Sequence, residues 1–298
     1  MTHADVPTVW VDGRLRSARE ATVSALDRGL RSGEGVFETV RIRDRRTFRL
    51  ADHLDRLEAG GRALGISIDR ATVHEAVAAV VAANGHLGDD LVVRMTCTAG
   101  PLDLTAAFPG AGSGPPTVVL SAQRARPPGA PPLPPARGHL VDLRRELADV
   151  KSTSYLIAVI AQRRAHQRGA SDAILCDATG QPLEAATANL LAVCDGVLVT
   201  APITAGVLAG VTRGAVCELA RSLGLTVEQR VLTRTELLGA DEALLTSAVR
   251  GVQPLIDVDG QAIGGGVRGP ITARLRDAFD LHRREAAEPL PISRSAGG

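Results

Sequence analysis

The chain has 298 residues, of which 45% are hydrophobic and 22% charged, and its formal net charge is +1. This length has room for two domains of ordinary size, and the composition is that of a globular protein. The near-neutral charge gives no electrostatic reason to expect a nucleic acid or an anionic membrane surface as a partner. No apolar run approaches the roughly 20 residues that a membrane span needs, and no secretory signal is visible, so we expect a cytoplasmic protein.

The four cysteines and seven histidines show no pattern of metal ligands. Each cysteine lies in an apolar stretch far from the others, which is typical of small buried side chains in a reducing compartment. No histidine is paired with a cysteine or an acidic residue at the spacing of metal ligands. We therefore expect no metal cofactor.

In the first 122 residues, alternating and apolar stretches predict strands, and helical periodicity predicts helices. The predicted strands are a hairpin over 8–18, which turns at Asp12-Gly13, and single strands over 36–42, 91–98 and 117–121. The predicted helices cover 50–64 and 71–84. Residues 1–122 are expected to form a small N-terminal α/β domain.

Six prolines between residues 123 and 138 remove backbone donors and fix φ, which predicts an extended interdomain linker over 123–138. Beyond it, strands are predicted over 139–143, 172–176, 190–193, 197–199, 225–231 and 242–246, with a hairpin at Asp259-Gly260. Helices are predicted over 153–168, from about 212, near 233–239 and over 270–284. Because strands and helices mix without regular βαβ alternation, residues 139–298 are expected to form a second α+β domain.

Lys151 is the only lysine among the 34 lysines and arginines of the chain. Arginine keeps its proton in proteins, whereas a desolvated lysine can lose its own and form a Schiff base with an aldehyde. The alternative is that Lys151 is an ordinary surface lysine in a chain whose other 33 lysine or arginine positions are all arginine. The residues around Lys151 distinguish a catalytic lysine from an ordinary surface lysine.

Two stretches offer partners for an aldehyde cofactor beside that lysine. Tyr155, the only tyrosine, follows Lys151 by four residues and could hydrogen-bond a cofactor oxygen, although it could also be an ordinary core aromatic. Glu184 precedes a run of small residues, and a carboxylate beside a pyridine nitrogen keeps that nitrogen protonated. The alternative for Glu184 is a solvated carboxylate in a loop.

Two further stretches offer ligands for a phosphate. Gly210-Val211-Thr212 comes directly before an amphipathic helix, where free N–H groups and the helix dipole suit an anion. Thr212 could equally be a simple N-cap. Arg56, on the predicted helix over 50–64, could offer its guanidinium to the same phosphate or be one more exposed arginine.

Together these stretches resemble the class IV, or fold-type IV, pyridoxal-phosphate-dependent enzymes. That family contains branched-chain aminotransferases, D-amino-acid aminotransferases and 4-amino-4-deoxychorismate lyases. The motifs that match run in order along nearly the whole chain: Asp27-Arg28-Gly29, Phe37-Glu38-Thr39, His53-x-x-Arg56, Lys151-x-x-x-Tyr155, Glu184-x4-Asn189, Gly210-Val211-Thr212 and Leu245 to Pro254. The resemblance implies a small N-terminal α/β domain, a larger C-terminal pseudobarrel domain, bound pyridoxal 5'-phosphate and a homodimer.

The resemblance also implies roles for residues of this chain. Lys151 is expected to be the Schiff-base lysine and Glu184 the partner of the pyridine nitrogen. The remaining residues expected in the cofactor site are Arg56, Tyr155, Asn189, Val211 and Thr212. The residues expected on the substrate side are Phe37, Arg94 and Arg250, of which Arg94 could instead form a structural salt bridge.

One departure from the pattern of the aminotransferases concerns the phosphate site. They usually place a phosphate-binding serine or threonine six residues before the proline of the last motif, and here that residue is Ala248. The neighbouring Ser247, or backbone N–H groups at this turn, could take its place.

Two enzymatic activities remain open within this resemblance. The last motif, the segment from Lys151 to Tyr155 and the alanine at 248 look most like the lyases, so we expect release of pyruvate from 4-amino-4-deoxychorismate to give 4-aminobenzoate. Phe37-Glu38-Thr39 looks like the aminotransferase form, so the alternative is an aminotransferase for branched-chain or D-amino acids with a 2-oxo acid acceptor. A non-catalytic binding protein on the same fold is a remote alternative, and it predicts that Lys151 is dispensable.

Overall fold

The computed structural model describes residues 6–103, 114–127 and 130–290. The chain divides into two compact units. The first consists of Met1–Ala130, Val150–Ser154 and Ala286–Gly298, and the second of Pro131–Asp149 and Tyr155–Glu285. After entering the second unit, the chain therefore returns to the first for five residues, and it comes back to the first again at Ala286.

Regular structure covers most of the described residues. The strands are β1 (Thr8–Val11), β2 (Arg14–Ser17), β3 (Gly35–Arg43), β4 (Arg46–Phe48), β5 (Asp90–Thr98), β6 (Thr117–Arg124), β7 (Ala136–Val141), β8 (Asp172–Cys176), β9 (Pro182–Ala185), β10 (Ala188–Cys194), β11 (Val197–Thr200), β12 (Val227–Gln229), β13 (Glu242–Ser247), β14 (Gly251–Val258), β15 (Gln261–Ala262) and β16 (Ala287–Pro289). The α-helices are α1 (Arg28–Arg31), α2 (Leu50–Ala63), α3 (Arg70–Ala83), α4 (Leu156–Gln167), α5 (Val211–Ser222), α6 (Arg234–Leu238) and α7 (Pro270–Glu285). None of the helices in the described ranges is long and apolar enough to cross a bilayer.

The first unit is built on an antiparallel sheet of seven strands in the order β16-β4-β3-β5-β6-β1-β2. Its first hairpin turns at Asp12 and Gly13, both with positive φ, as a two-residue hairpin turn requires. Helices α2 and α3 pack against this sheet. The apolar residues of α2 that recur at helical spacing are buried in the core beneath it, and they are Leu50, Leu54 and Leu57.

The second unit is built on a nine-stranded sheet in the order β12-β11-β10-β13-β14-β7-β8-β9, with β15 added at β14. Strand β9 also pairs with β10, so that the six strands β10, β13, β14, β7, β8 and β9 form a closed ring. Closure removes the free edges that an open sheet would present. The expected pair of folds, a small α/β domain and a pseudobarrel domain, is therefore confirmed.

The division of the chain differs from the expected boundaries in two places. The predicted linker over 123–138 includes the end of β6 and the start of β7, so the stretch without regular structure is shorter than its prolines suggested. The segment Val150–Ser154 was expected in the second domain and belongs to the first unit. It stays there because its backbone pairs with the start of β3, where Thr153 N–H donates to Gly35 at 2.8 Å.

Candidate active site

Lys151 lies in the first unit, on the short segment that extends the sheet beside β3. Val36 and Ser152 form an antiparallel bridge, and the N–H of Phe37 donates to the carbonyl of Lys151 at 2.8 Å. The amine nitrogen Nζ of Lys151 lies 4.6 Å from the centroid of the Phe37 ring, and the residue is half-buried. The backbone of the lysine is thus fixed by strand pairing, and its amine lies next to an aromatic ring.

Arg94 contacts the same ring. In the pairing of β3 with β5, Arg94 lies opposite Thr39, so it is a diagonal neighbour of Phe37 on one face of the sheet. The guanidinium carbon Cζ lies 3.6 Å from the centroid of the Phe37 ring, yet the residue as a whole is exposed. Phe37 therefore brings together the amine predicted to hold the cofactor and a cation predicted to bind a substrate carboxylate.

The neighbouring residue of β3, Glu38, is fully buried beneath α2. Its carboxylate accepts hydrogen bonds from His53 Nδ1 at 2.8 Å, from Arg56 Nε at 2.5 Å and from Arg56 Nη2 at 3.0 Å. His53 and Arg56 are three residues apart on α2, which places them on the same helix face. Burial alone would raise the pKa of Glu38, but the hydrogen bond from His53 and the charge of Arg56 outweigh it and lower the pKa from 4.5 to about 2.

This arrangement bears on the phosphate role expected for Arg56. Two of the three guanidinium nitrogens of Arg56 donate to Glu38. The side chain is 12% exposed, so it is not one more solvated arginine. Its contact with a phosphate stays a prediction.

Glu184 lies in the second unit on β9, a strand that was not predicted from the sequence. The residue is 3% exposed, which excludes a solvated carboxylate. Its oxygen Oε1 forms an ion pair with Arg145, and Oε2 accepts from Asn189 Nδ2 and from the N–H of Leu208, each at 3.2 Å. Three donors from three separate segments thus hold this carboxylate in one orientation.

Asn189 connects Glu184 to the segment that begins α5. Its side-chain amide Nδ2 donates to the carbonyl of Leu208 at 2.9 Å as well as to Glu184. Gly210, the N-cap of α5, approaches Asn189 so closely that an added Cβ would overlap Oδ1 of the amide. Only glycine fits at this position, because any side chain would displace the asparagine.

The N-terminus of α5 has the features expected of an anion site. Gly210 provides no side-chain cap, and the first N–H groups of a helix have no partners within it. Val211 and Thr212 are buried, and the positive end of the helix dipole lies at these residues. Arg213, also buried, donates to Thr200 Oγ1 at 3.2 Å and to the carbonyl of Ala201 at 2.7 Å, so a second positive charge lies in the first turn.

The last motif lies at the turn from β13 to β14. Ser247 Oγ accepts from the N–H of Arg250 at 3.2 Å, and Ala248 follows it in the turn. The hydroxyl of Thr246, on β13, is buried and makes no hydrogen bond to any described residue. Among the described residues of this motif, the buried hydroxyl without a hydrogen-bond partner is therefore that of Thr246. It does not lie at positions 247 or 248, which the sequence analysis considered.

Arg250, expected on the substrate side, is held in a polar cluster of the second unit. Its guanidinium donates to the buried Asp172 at 2.7 Å, to Gln253 at 3.0 Å and to the hydroxyl of Thr187 at 2.6 Å. These contacts tie β8, β14 and the turn after β9 together. They favour a structural role for Arg250.

Tyr155 belongs to the second unit, whereas Lys151 four residues earlier belongs to the first. Its hydroxyl donates to the carbonyl of Ala186 at 3.4 Å, in the turn that follows Glu184 and β9. The ring is half-buried against the apolar cluster under α4. The cofactor contact expected of this hydroxyl stays a prediction.

Several partners in these networks were not singled out from the sequence. Arg145 is one of 33 arginines, and no local pattern distinguishes it from its exposed neighbour Arg144. His53 was named only as part of the motif His53-x-x-Arg56 and without a role, although a residue three positions before Arg56 on a helix shares its face. No sequence pattern pointed to Thr246, because the phosphate-binding hydroxyl of the last motif was considered only at positions 247 and 248.

Comparisons with known proteins agree with this geometry. The sequence profile of the family described as amino-transferase class IV matches residues 35–257. A Methanocaldococcus jannaschii protein proposed to be a branched-chain-amino-acid aminotransferase is 32% identical over 284 residues, covering 91% of this chain and 94% of that protein. The D-alanine aminotransferase of Bacillus licheniformis is 30% identical over 273 residues, covering 91% and 95%.

A solved structure is similar over nearly the whole chain. It is the branched-chain amino acid aminotransferase from Thermobaculum terrenum in its PLP-form, the holo-form. The TM-score is 0.82 at 26% sequence identity, and the match covers 96% of this chain and 99% of that one. The likeness thus extends over both units of the fold.

The fold, the site and these matches define the class of protein as an enzyme dependent on pyridoxal 5'-phosphate. Within that class, the chain belongs to the amino-transferase class IV family. The described residues fit the cofactor, because Glu184 is a buried carboxylate of the kind that keeps a pyridine nitrogen protonated and the uncapped N-terminus of α5 suits a phosphate. The fit of the α5 terminus depends on Gly210, since an added Cβ there would displace Asn189.

Proposed function

We propose that this enzyme is an aminotransferase that moves the amino group of a branched-chain or D-amino acid to a 2-oxo acid. The observation that carries the proposal is the Phe37 ring, with the Lys151 amine 4.6 Å and the Arg94 guanidinium 3.6 Å from its centroid. A guanidinium binds a carboxylate through paired hydrogen bonds. An amino acid held by Arg94 would therefore lie near the amine that has to react, and the aminotransferases among the relatives support this choice.

Four residues of the site would have a direct part in such a reaction. Bound pyridoxal 5'-phosphate supplies an aldehyde that combines with amines and a ring that accepts negative charge. Lys151 would hold the cofactor through its amine, and after the amine of a substrate has displaced it, the freed lysine amine would take the proton from Cα of the substrate. Glu184 would keep a proton on the pyridine nitrogen, and the N–H groups of Val211 and Thr212 would bind the phosphate.

The proposal prefers amino transfer to the lyase activity that the sequence alone led us to expect. Of the two relatives described above, one is a D-alanine aminotransferase and the other is proposed to be a branched-chain-amino-acid aminotransferase, and each match covers 91% of this chain. The 4-amino-4-deoxychorismate lyase remains the second candidate on one observation, which is that Ala248 lacks the hydroxyl usual in aminotransferases. The two activities differ in their products, so they can be separated directly.

The test supplies the purified protein with pyridoxal 5'-phosphate and two sets of substrates. One set pairs L-branched-chain amino acids or D-alanine with 2-oxoglutarate, and the other is aminodeoxychorismate alone. We expect 2-oxo acid and glutamate to form in the first set, without 4-aminobenzoate in the second. Pyruvate and 4-aminobenzoate without any amino transfer would reverse the choice.

The lysine is tested by Lys151→Ala and Lys151→Arg, of which the second keeps the charge but cannot form a Schiff base. Both variants should lose activity and the cofactor band in the visible spectrum. Borohydride treatment of the parent should leave a cofactor adduct on the peptide that contains Lys151. A parent protein that forms no adduct and has no activity on any of these substrates would leave only the non-catalytic binding protein.

We also propose that the enzyme is a homodimer. Leu156 and Val159 of α4 are 67% and 40% exposed, and their spacing of three residues places them on one helix face. An exposed apolar face of this kind suits contact with a second copy. Sedimentation analysis of the parent and of Leu156→Glu would test this, and a parent that sediments as a monomer would contradict it.

A further inference from the structure

The hydroxyl of Thr246 is a buried polar group with no assigned role. Thr246 is 2% exposed on β13, and its Oγ1 has no hydrogen-bond partner among the described residues. Buried polar side chains nearly always have a partner, because an unpaired one loses its hydration without compensation. This hydroxyl is therefore a candidate hydrogen-bonding partner for a ligand that the protein binds.

The strand register places Thr246 in line with the carboxylate of the site. Glu184 is paired with Asn189 between β9 and β10, and Asn189 is paired with Thr246 between β10 and β13. Directly paired residues project from the same face of a sheet, so the three polar side chains form one row. Glu184 and Thr246 are two strand spacings apart, which is about 10 Å.

The two ends of this row differ in what they can bind. The Glu184 end accepts hydrogen bonds and suits a protonated pyridine nitrogen. At the middle of the row, Asn189 contacts Gly210, the uncapped N-cap of α5, and α5 packs against β13. The end beyond Asn189 therefore combines a helix N-terminus with the free hydroxyl of Thr246, and both suit an anion.

We propose that Thr246 binds the phosphate of pyridoxal 5'-phosphate through its hydroxyl, an inference that rests on the proposed function. The cofactor carries its ring nitrogen and its phosphate at opposite ends, which matches the order of groups along the row. Ser247, the substitute considered from the sequence, already accepts the N–H of Arg250 and projects from the opposite face of β13. Ala248 has no hydroxyl, so Thr246 supplies the donor that the last motif lacks.

The test compares Thr246→Val with Thr272→Val, since valine keeps the shape of threonine and removes only the hydroxyl. Thr272, on α7, is 1% exposed, and its hydroxyl likewise has no partner among the described residues, which makes it a matched control. Both ligand-free variants should be at least as stable as the parent, as judged by their thermal unfolding midpoints. Thr246→Ser, which keeps the hydroxyl, should behave like the parent throughout.

Equilibrium binding is then measured with pyridoxal 5'-phosphate and with pyridoxal, which lacks the phosphate. Losing one hydrogen bond to a charged group should weaken binding of the phosphorylated cofactor to Thr246→Val about tenfold. Binding of pyridoxal should stay unchanged, and Thr272→Val should bind both compounds as the parent does. Inorganic phosphate should raise the unfolding midpoint of the ligand-free parent more than that of Thr246→Val.

The outcomes separate the inference from the function on which it rests. Equal affinity of the parent and Thr246→Val for the phosphorylated cofactor would overturn the role of Thr246. An equal loss of affinity for both compounds would also overturn it, because it would assign the hydroxyl to the ring. A parent that binds neither compound would instead overturn the proposed function.

Discussion

Arg145 and Glu184 form an ion pair in which the carboxylate side chain is 3% exposed and the guanidinium side chain 16%. The pair joins the segment before Lys151 to β9, across 39 residues of sequence. It occupies Oε1 of Glu184, while Asn189 and Leu208 donate to Oε2. Arg145 is thus a positioning residue for the carboxylate that we assign to the pyridine nitrogen.

Arg145→Gln should destabilise the ligand-free protein, because Glu184 would keep a buried charge without its cation. Removing one partner of a buried pair costs about 3 kcal/mol. Urea unfolding at neutral pH measures this loss. Arg144→Gln is the matched control, since its exposed side chain lies one residue away and should change stability by no more than about 0.5 kcal/mol.

The double variant Arg145→Gln with Glu184→Gln isolates the pair. Because it removes both charges, it should be more stable than Arg145→Gln alone. Equal stability of the Arg145→Gln and Arg144→Gln variants would show that the ion pair contributes nothing.

Glu38 should make the ligand-free protein sensitive to acid. Its pKa is about 2 in the folded protein, against 4.5 for an ordinary glutamate. The lowered pKa stabilises the fold fully above pH 4.5, and this contribution of about 3 kcal/mol is lost as the pH falls towards 2. Glu38→Gln removes the titrating group, so the stability difference between the parent and this variant should shrink over that range.

The measurement is urea unfolding at several pH values, with Glu75→Gln as the control. Glu75 is an exposed glutamate on α3, so its substitution should give a small difference that hardly changes with pH. A parent and a Glu38→Gln variant whose stability difference is constant between pH 4.5 and 2 would contradict the lowered pKa of Glu38.

Helix α2 illustrates what the sequence could predict. The predicted range 50–64 agrees with Leu50–Ala63, because its leucines recur at the helical period and all face one core. Lys151 and Glu184 were singled out from the sequence because each lies in a motif of fixed local spacing, and their roles toward the cofactor stay predictions. Local periodicity and local spacing are what a single sequence displays directly.

Strand β9 illustrates what the sequence could not predict. It has four residues and includes a charged one, so it lacks the apolar alternation of a half-buried strand. Glu184 is tolerated there because Arg145 and Asn189 pair with it, and the arginine is remote in sequence. The placement of Lys151 in the first unit likewise depends on residues that are remote in sequence, because Val36 pairs with Ser152.

Arg250→Gln should lower stability more than it changes substrate binding. Its guanidinium pairs with Asp172, which is 4% exposed and would become a buried carboxylate without its cation, although the hydroxyl of Ser171 still donates to it. We expect a loss of about 3 kcal/mol in urea unfolding, with KM for the amino acid within about twofold of the parent. Arg268→Gln, at an exposed arginine, is the control. A KM raised more than about tenfold at unchanged stability would instead show that Arg250 binds the substrate.

Gly210→Ala should damage the site, whereas Gly214→Ala, in the same helix, should not. The new Cβ at 210 would overlap Asn189 Oδ1, so the amide has to move and release Glu184 and Leu208. We expect a stability loss of about 2 kcal/mol and weaker binding of pyridoxal 5'-phosphate. An added Cβ at Gly214 meets nothing within 4 Å, so alanine there should raise stability by up to about 1 kcal/mol. Thermal unfolding and cofactor titration measure both, and equal behaviour of the two variants would contradict the close contact with Asn189.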